Sequence, residues 1–127
     1  MSGLKGKNSS AMLAVSDIER AKKFYGGTLG LEAESREMGD VVIYKTGLTK
    51  LELYPSEFAG TNKANAVSFA CGGDIQAVVD DLRANGVTFE KYDIEGASFE
   101  DGVHSWDGML LAWFKDPDGN IILLHNS

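Results

Sequence analysis

Few residues in this chain are equipped for chemistry, and their settings narrow what that chemistry could be. There are two histidines, His104 and His125, and one cysteine, Cys71. His104 stands in an acidic stretch and could shuttle a proton near neutral pH. A lone histidine in such a stretch is more commonly a surface residue. His125 lies close to the C-terminus and reads as a solvated side chain. Cys71 closes an apolar strand on its helix-facing side, so it reads as a small buried hydrophobe rather than a nucleophile. Glu52, in Leu51-Glu52-Leu53, would serve as a general base if buried without a cation. An ion pair with Lys50 is the other reading. Asp93, Glu95, Glu100, Asp101 and Asp107 are clustered, but not at the spacing of a calcium loop, and a solvated acidic loop is expected. Gly72-Gly73 lacks both the phosphate-loop lysine and a dinucleotide fingerprint.

Large side chains supply the other candidates. Met12, Tyr44, Tyr54, Phe99, Trp106 and Trp113 could contact a ligand, because aromatics offer wide apolar area with a polar handle on Trp and Tyr. Trp113 lies in a strongly apolar strand and also suits a core or a dimer interface. Phe99 and Trp106 stand in a polar stretch, where a lid is the reading that accounts for them.

These residues need elements to position them. Ala11 to Val15 reads as a strand. Ile18, Ala21, Phe24 and Tyr25 recur at helical spacing, behind Ser16 or Asp17 as cap and ahead of Gly26, Gly27 and Gly30 as stop. Three extended segments follow, about 31–36, 40–45 and 49–54, with Gly39 and Gly47 at the turns. Residues 56–65 form a polar linker. The second part opens with a strand over Ala66–Cys71 and a helix carrying Ile75, Val78, Val79 and Leu82, which stops at Asn85-Gly86. A strand over Val87–Lys91 precedes a long acidic loop, Tyr92–Gly108. Met109–Phe114 and Asn120–His125 are strands joined by the turn Asp116-Pro117-Asp118-Gly119.

The two parts share one order. Ser16-Asp17-Ile18 matches Gly73-Asp74-Ile75, and Gly30-Leu31 matches Gly86-Val87. The repeat predicts two tandem βαβββ modules, about 8–55 and 66–127, within a single α+β domain. Strand alternation sorts the faces. Leu13 and Val15, like Val67 and Phe69, should pack under helices. Ser10, Met12 and Ala14, with Ala66, Ser68 and Ala70, face the other way. A face of small residues suits a ligand cleft; plain solvent exposure of one sheet face explains it equally.

Composition excludes several classes. The chain has 127 residues, 12 basic and 19 acidic, for a net charge of −7. Phosphate affinity needs clustered Lys and Arg, so no nucleic-acid partner is expected. No anionic membrane partner is expected either, and no apolar run approaches a membrane span. One cysteine excludes an internal disulfide and a cysteine-based zinc site. Met1 to Lys7 lacks the apolar core of a signal peptide, so a cytoplasmic protein is expected. The 15 glycines fall largely at helix ends and hairpin turns.

Leu13-Ala14-Val15-Ser16-Asp17-Ile18-Glu19-Arg20-Ala21-Lys22-Lys23-Phe24-Tyr25, followed by Leu29-Gly30-Leu31-Glu32, resembles the opening of the vicinal oxygen chelate superfamily, which groups glyoxalases, bleomycin-resistance proteins and extradiol dioxygenases. Phe114-Lys115-Asp116-Pro117-Asp118-Gly119-Asn120 resembles its closing turn, and Gly86-Val87 fits as well. The resemblance covers nearly the whole chain. It implies a glyoxalase-like fold in which two βαβββ modules form a curved mixed sheet around a cleft, often with a divalent metal, in a homodimer. Carried over, the family's four ligand positions fall on Ser10, Glu52, Ala66 and Leu123. Only Glu52 keeps a good ligand. Ala and Leu have no donor atom, and one carboxylate cannot hold a divalent ion against water. No cofactor is therefore expected. A divalent ion at a displaced site, using Glu52 and His125, is the alternative.

The expected function is metal-independent binding of a small molecule in the cleft, the ligand cationic or planar aromatic. Its contacts would be Ser10, Met12, Tyr44, Tyr54, Ala66, Ser68, Phe99, Trp106, Trp113, Leu123 and His125. The alternative is a lyase, isomerase or dioxygenase that uses Glu52 as base or as ligand to a non-standard metal.

Overall fold

A computed structural model describes residues 3–34 and 40–127. The chain folds as two compact units, Met1–Ala59 and Gly60–Ser127. Among the described residues no helix is long and apolar enough to cross a membrane.

In the first unit β1 (Ala11–Val15) leads into α1 (Ile18–Lys22). Of the two expected caps, Asp17 takes the role: its Oδ1 accepts the Arg20 backbone N–H at 3.1 Å. The helix does not stop at Gly26 and Gly27 as expected. It widens into a π-helical turn over Lys23–Thr28, closed by the Leu29 N–H donating to the Phe24 carbonyl at 2.8 Å. The wider turn re-aims the side chains that follow α1. Tyr25 becomes fully buried, its ring 6.3 Å from that of Tyr44.

Three strands complete this unit. β2 (Glu32–Ala33), β3 (Val42–Thr46) and β4 (Thr49–Pro55) form a meander. The sheet order is β1-β4-β3-β2, with β1 parallel to β4 and the other pairs antiparallel. Residues 35 and 36 of the expected second strand, and the expected turn at Gly39, lie outside the described residues. Leu13, Val15, Leu51 and Leu53 are buried while Met12 is 58% exposed, as period-two alternation over a one-sided core requires.

The second unit repeats that plan. β5 (Asn65–Ala70) is followed by a 3-10 turn at Gly72–Asp74 and by α2 (Ile75–Ala84). Ile75, Val79 and Leu82 are the buried stripe of α2, spaced to share one face. β6 (Phe89–Glu90) comes next. The expected acidic loop is not a loop throughout: it contains a hairpin of β7 (Ser98–Glu100) and β8 (Val103–Trp106). β9 (Met109–Lys115) and β10 (Ile121–His125) complete the sheet. Its order is β5-β10-β9-β8-β7, with β6 also on β9. Without the hairpin, the order β5-β10-β9-β6 and its parallel first pair match the first unit.

Two Asp-Gly pairs build the hairpin. Asp101-Gly102 joins Glu100 to Val103, and Asp107-Gly108 joins Trp106 to Met109. All four residues have positive φ, from 48° to 85°, the backbone of the two-residue turns that suit twisted strands. Gln76 Nε2 donates to the Asp101 carbonyl at 3.2 Å, tying the turn to α2.

The turn after β9 is built as its sequence predicts. Asp116 is buried and its Oδ1 accepts from the Asp118 and Asn120 N–H groups, at 3.0 and 2.8 Å. Its Oδ2 accepts from Asn120 Nδ2 at 2.8 Å.

Candidate functional site

The open face of the second sheet carries a cleft. Parity puts Leu111, Trp113 and Lys115 of β9 on that face, beside His125, Leu123 and Ile121 of β10. Ala112, Phe114, Ile122 and Leu124 point the other way and are buried. Over the Lys115 end lies a cavity of about 760 Å³, within the range of roughly 300–1,000 Å³ usual for small-molecule sites. Tyr92, Ile94, Trp113 and Ile121 form its apolar walls, and Gly60, residues 62–65 and Lys115 form its polar rim.

The two aromatic wall residues are held by specific contacts. Trp113 Nε1 donates to Asn65 Oδ1 at 3.0 Å, which fixes the indole against β5. The Tyr92 ring meets that of Trp113 edge-on at 5.2 Å. Its backbone N–H donates to His104 Nε2 at 2.9 Å. Burial, and secondarily the Glu90 carboxylate, push the Tyr92 phenol above its ordinary value, so at neutral pH it is an O–H. Gly60 closes the rim where it passes the turn after β9: a Cβ there would run into the Asp118 carbonyl oxygen, and its φ is +75°. Only glycine fits that approach.

His104 is not the surface residue that an acidic loop implied. It is 1% exposed and lies 4.6 Å from the Phe99 ring and 5.1 Å from Trp113, stacked with Tyr92 at 6.2 Å. Because Nε2 accepts a hydrogen bond, it carries a lone pair and the ring proton sits on Nδ1. Nδ1 is buried and has no partner among the described residues. His104 thus stands behind the cleft wall and is not among the residues lining it.

The remaining candidates fall into separate groups. Ser10, Met12, Glu52 and Tyr54 share one face of the first sheet: Met12 is beside Glu52 in register, and Ser10 Oγ donates to Glu52 Oε2 at 2.5 Å. Lys50 does not pair with Glu52; its ammonium lies 2.8 Å from Glu34 Oε1. Tyr44 is 2% exposed, on the core face beside Leu51, and burial raises its phenol above the ordinary value. It packs the core instead of facing a ligand. In the second unit Ser68 lies beside Leu123, and Leu123 beside Trp113. Ala66 falls at the bulge between Asn65 and Val67. Phe99 and Trp106 belong to the hairpin, not to a loop lid. Phe99 packs on His104, with Lys91 Nζ 5.8 Å from its ring centroid, and Trp106 is 41% exposed. Tyr92, Ile94, Lys63 and Asn65 were not singled out from the sequence. The two Asp-Gly pairs were the available signal, since a strand after Gly102 would place His104 beneath the wall.

The fold can now be set beside known proteins. Residues 9–124 match the model of the Glyoxalase/Bleomycin resistance protein/Dioxygenase superfamily. The chain belongs to that superfamily. Solved structures of the same fold include the glyoxalase family protein from Enterococcus faecalis (22% identity, TM-score 0.68, 98% of this chain and 99% of that one). UcmS2 superposes with a TM-score of 0.73 at 19% identity, over 98% of this chain and 100% of that one. An integron cassette protein from the mobile metagenome of the Halifax Harbour sewage outfall gives 0.69 at 18%, over 98% and 100%. At these identities the likeness is one of fold, and function must be argued from the site.

The superfamily commonly holds a divalent metal, and the donors here do not fit one. Of the four positions that the resemblance assigns, Ala66 and Leu123 offer no donor atom, and Ser10 offers only a neutral hydroxyl, a poor ligand, which donates to Glu52. Among the described residues no three His, Cys, Asp or Glu side chains are grouped to hold an ion.

Proposed function

We propose that this superfamily member is a metal-independent small-molecule binding protein of the bleomycin-resistance type. Its ligand sits in the cleft of the second unit, against Trp113 and Tyr92. The observation that carries this reading is the chemistry of the lining. Among the described residues no carboxylate, imidazole or thiol lines the cleft, so these walls offer area and hydrogen bonds but neither the usual acid–base pair nor a sulfur nucleophile. Burial and stacking on aromatic walls suffice for binding. Removing the indole tests it: Trp113→Leu should weaken binding of a planar aromatic probe such as 2-naphthoate by about tenfold or more. Unchanged affinity by calorimetry would count against the reading.

A second reading has one observation in its favour. The short Ser10–Glu52 hydrogen bond orients a carboxylate that could act as a base in a lyase, isomerase or dioxygenase. Turnover that Glu52→Gln abolishes while ligand binding persists would decide for the enzyme. A homodimer is part of the proposal, because β1 and β5 end their sheets and open edges invite pairing. Light scattering at about micromolar concentration should give twice the chain mass, and a monomer would remove the dimer from the proposal.

A further inference from the structure

We infer that the cleft of the second unit selects planar aromatic anions, with a carboxylate as the charged group. This rests on the reading of that cleft as a binding site and adds the chemical class of its ligand.

The polar rim is rich in donors, and the acceptor oxygens beside them are each partly engaged. Asn65 Oδ1 is taken by Trp113 Nε1 and Asn62 Oδ1 by the Ala64 N–H. Each amide oxygen thus has one lone pair engaged, while both NH2 groups, which can only donate, remain for a ligand. Lys63 lines the same cleft and has no ion pair among the described residues. Lys115 also lines it, its Nζ 3.8 Å from Glu90 Oε1 with both side chains partly exposed. So long a pair between wet groups is loose and leaves the ammonium free to turn to a ligand. The Tyr92 phenol stays protonated and adds another O–H.

Set against these donors there is no carboxylate in the lining among the described residues. Glu90 lies outside that lining, beside Lys115 and Tyr92. A cationic ligand would find two ammonium groups in the lining, with Glu90 the carboxylate beside one of them. The net charge of −7 does not reverse this. At physiological salt, charges beyond about 8 Å are largely screened, so the nearby lysines set the local potential. The flat partners come from Trp113 and Tyr92, whose rings stand edge to face and accept a planar body.

Three probes with one ring system separate ring from charge: 2-naphthoate, 2-naphthamide and the 2-naphthylmethylammonium ion. They are titrated into the full chain, and binding is read from the Trp113 indole N–H and Asn65 side-chain NH2 signals in 1H–15N spectra. Naphthoate should bind about tenfold more tightly than the amide, and the cation weakest. Lys63→Gln should erase most of that preference. Glu90→Gln, which frees Lys115, should increase it. Equal binding of all three probes, or tighter binding of the cation, would overturn the anion inference while leaving a small-molecule site. An unchanged preference in Lys63→Gln would overturn it too. If no probe moves the Trp113 signal at about millimolar concentration, the binding reading itself fails.

Discussion

The backbone N–H of Tyr92 donates to Nε2 of His104 at 2.9 Å, so a buried imidazole holds one wall of the candidate binding cleft from behind. The hairpin delivers that imidazole: β8 places His104 beside Leu111 of β9, on the face that carries Trp113. His104→Phe keeps an aromatic ring between Tyr92, Phe99 and Trp113 but removes the acceptor. The stranded N–H should cost about 1–3 kcal/mol, read from urea unfolding. The same geometry predicts the Nδ1–H tautomer in 15N spectra at neutral pH. The Nε2–H tautomer would contradict the hydrogen bond.

Gly60→Ala tests the rim. The new Cβ would meet the Asp118 carbonyl oxygen at a backbone φ of +75°, so residues 60–65 must shift or strain. A loss of about 1–3 kcal/mol is expected. Weaker binding of 2-naphthoate should accompany it, because Asn62, Lys63 and Asn65 move with the segment. Wild-type stability and affinity together would show that the approach is slack.

Asp116→Ala should be among the most damaging single changes to the second unit. It strands the Asp118 and Asn120 N–H groups and the Asn120 amide at once. A cost of about 3 kcal/mol follows from buried donors losing a charged acceptor. A loss well below about 1 kcal/mol in urea would mean that water replaces the carboxylate.

Cys71 should react slowly with iodoacetamide at neutral pH. Burial pushes its thiol above the ordinary value, and Asp74 pushes in the same direction. Both disfavour the thiolate, which is the nucleophile. The rate should therefore climb with pH only above the usual thiol range. Asp74→Asn removes one of the two causes and should speed the reaction at fixed pH. A neutral-pH rate equal to that of a free thiol would refute the shielding.

Protein dialysed without chelator should carry under about 0.1 equivalent of transition metal, since a site needs three or four N/O/S donors. Stoichiometric zinc, iron or manganese by elemental analysis would restore the metal reading of Glu52.

Much of the fold was legible because local signals and the repeat agreed. Apolar alternation marked β1 and β4, apolar runs marked β9 and β10, Ser16-Asp17 marked the start of α1, and the Asp116–Gly119 turn was readable from proline and glycine chemistry. Leu31-Gly30 and Val87-Gly86 revealed the two modules, and with them the superfamily. Those are properties of short stretches, in which period and cap chemistry act within a few residues.

The site was less legible, since it depends on pairings across long separations. Whether Glu52 meets Lys50 or Ser10 is a question of side-chain reach, and Lys50 was taken by Glu34. Tyr44 looked like a ligand residue until its strand register put it beside Leu51 in the core. His104 and Trp113 are nine residues apart along the chain, but only the β8–β9 register brings their rings to 5.1 Å. From the residues alone came the modules and the turn chemistry, while the expectation about metal donors came from the positions that the superfamily resemblance assigns. The cleft, its donor rim and the buried histidine behind it came from folding, because burial and hydrogen-bond partners are set by which strands pair and in what register.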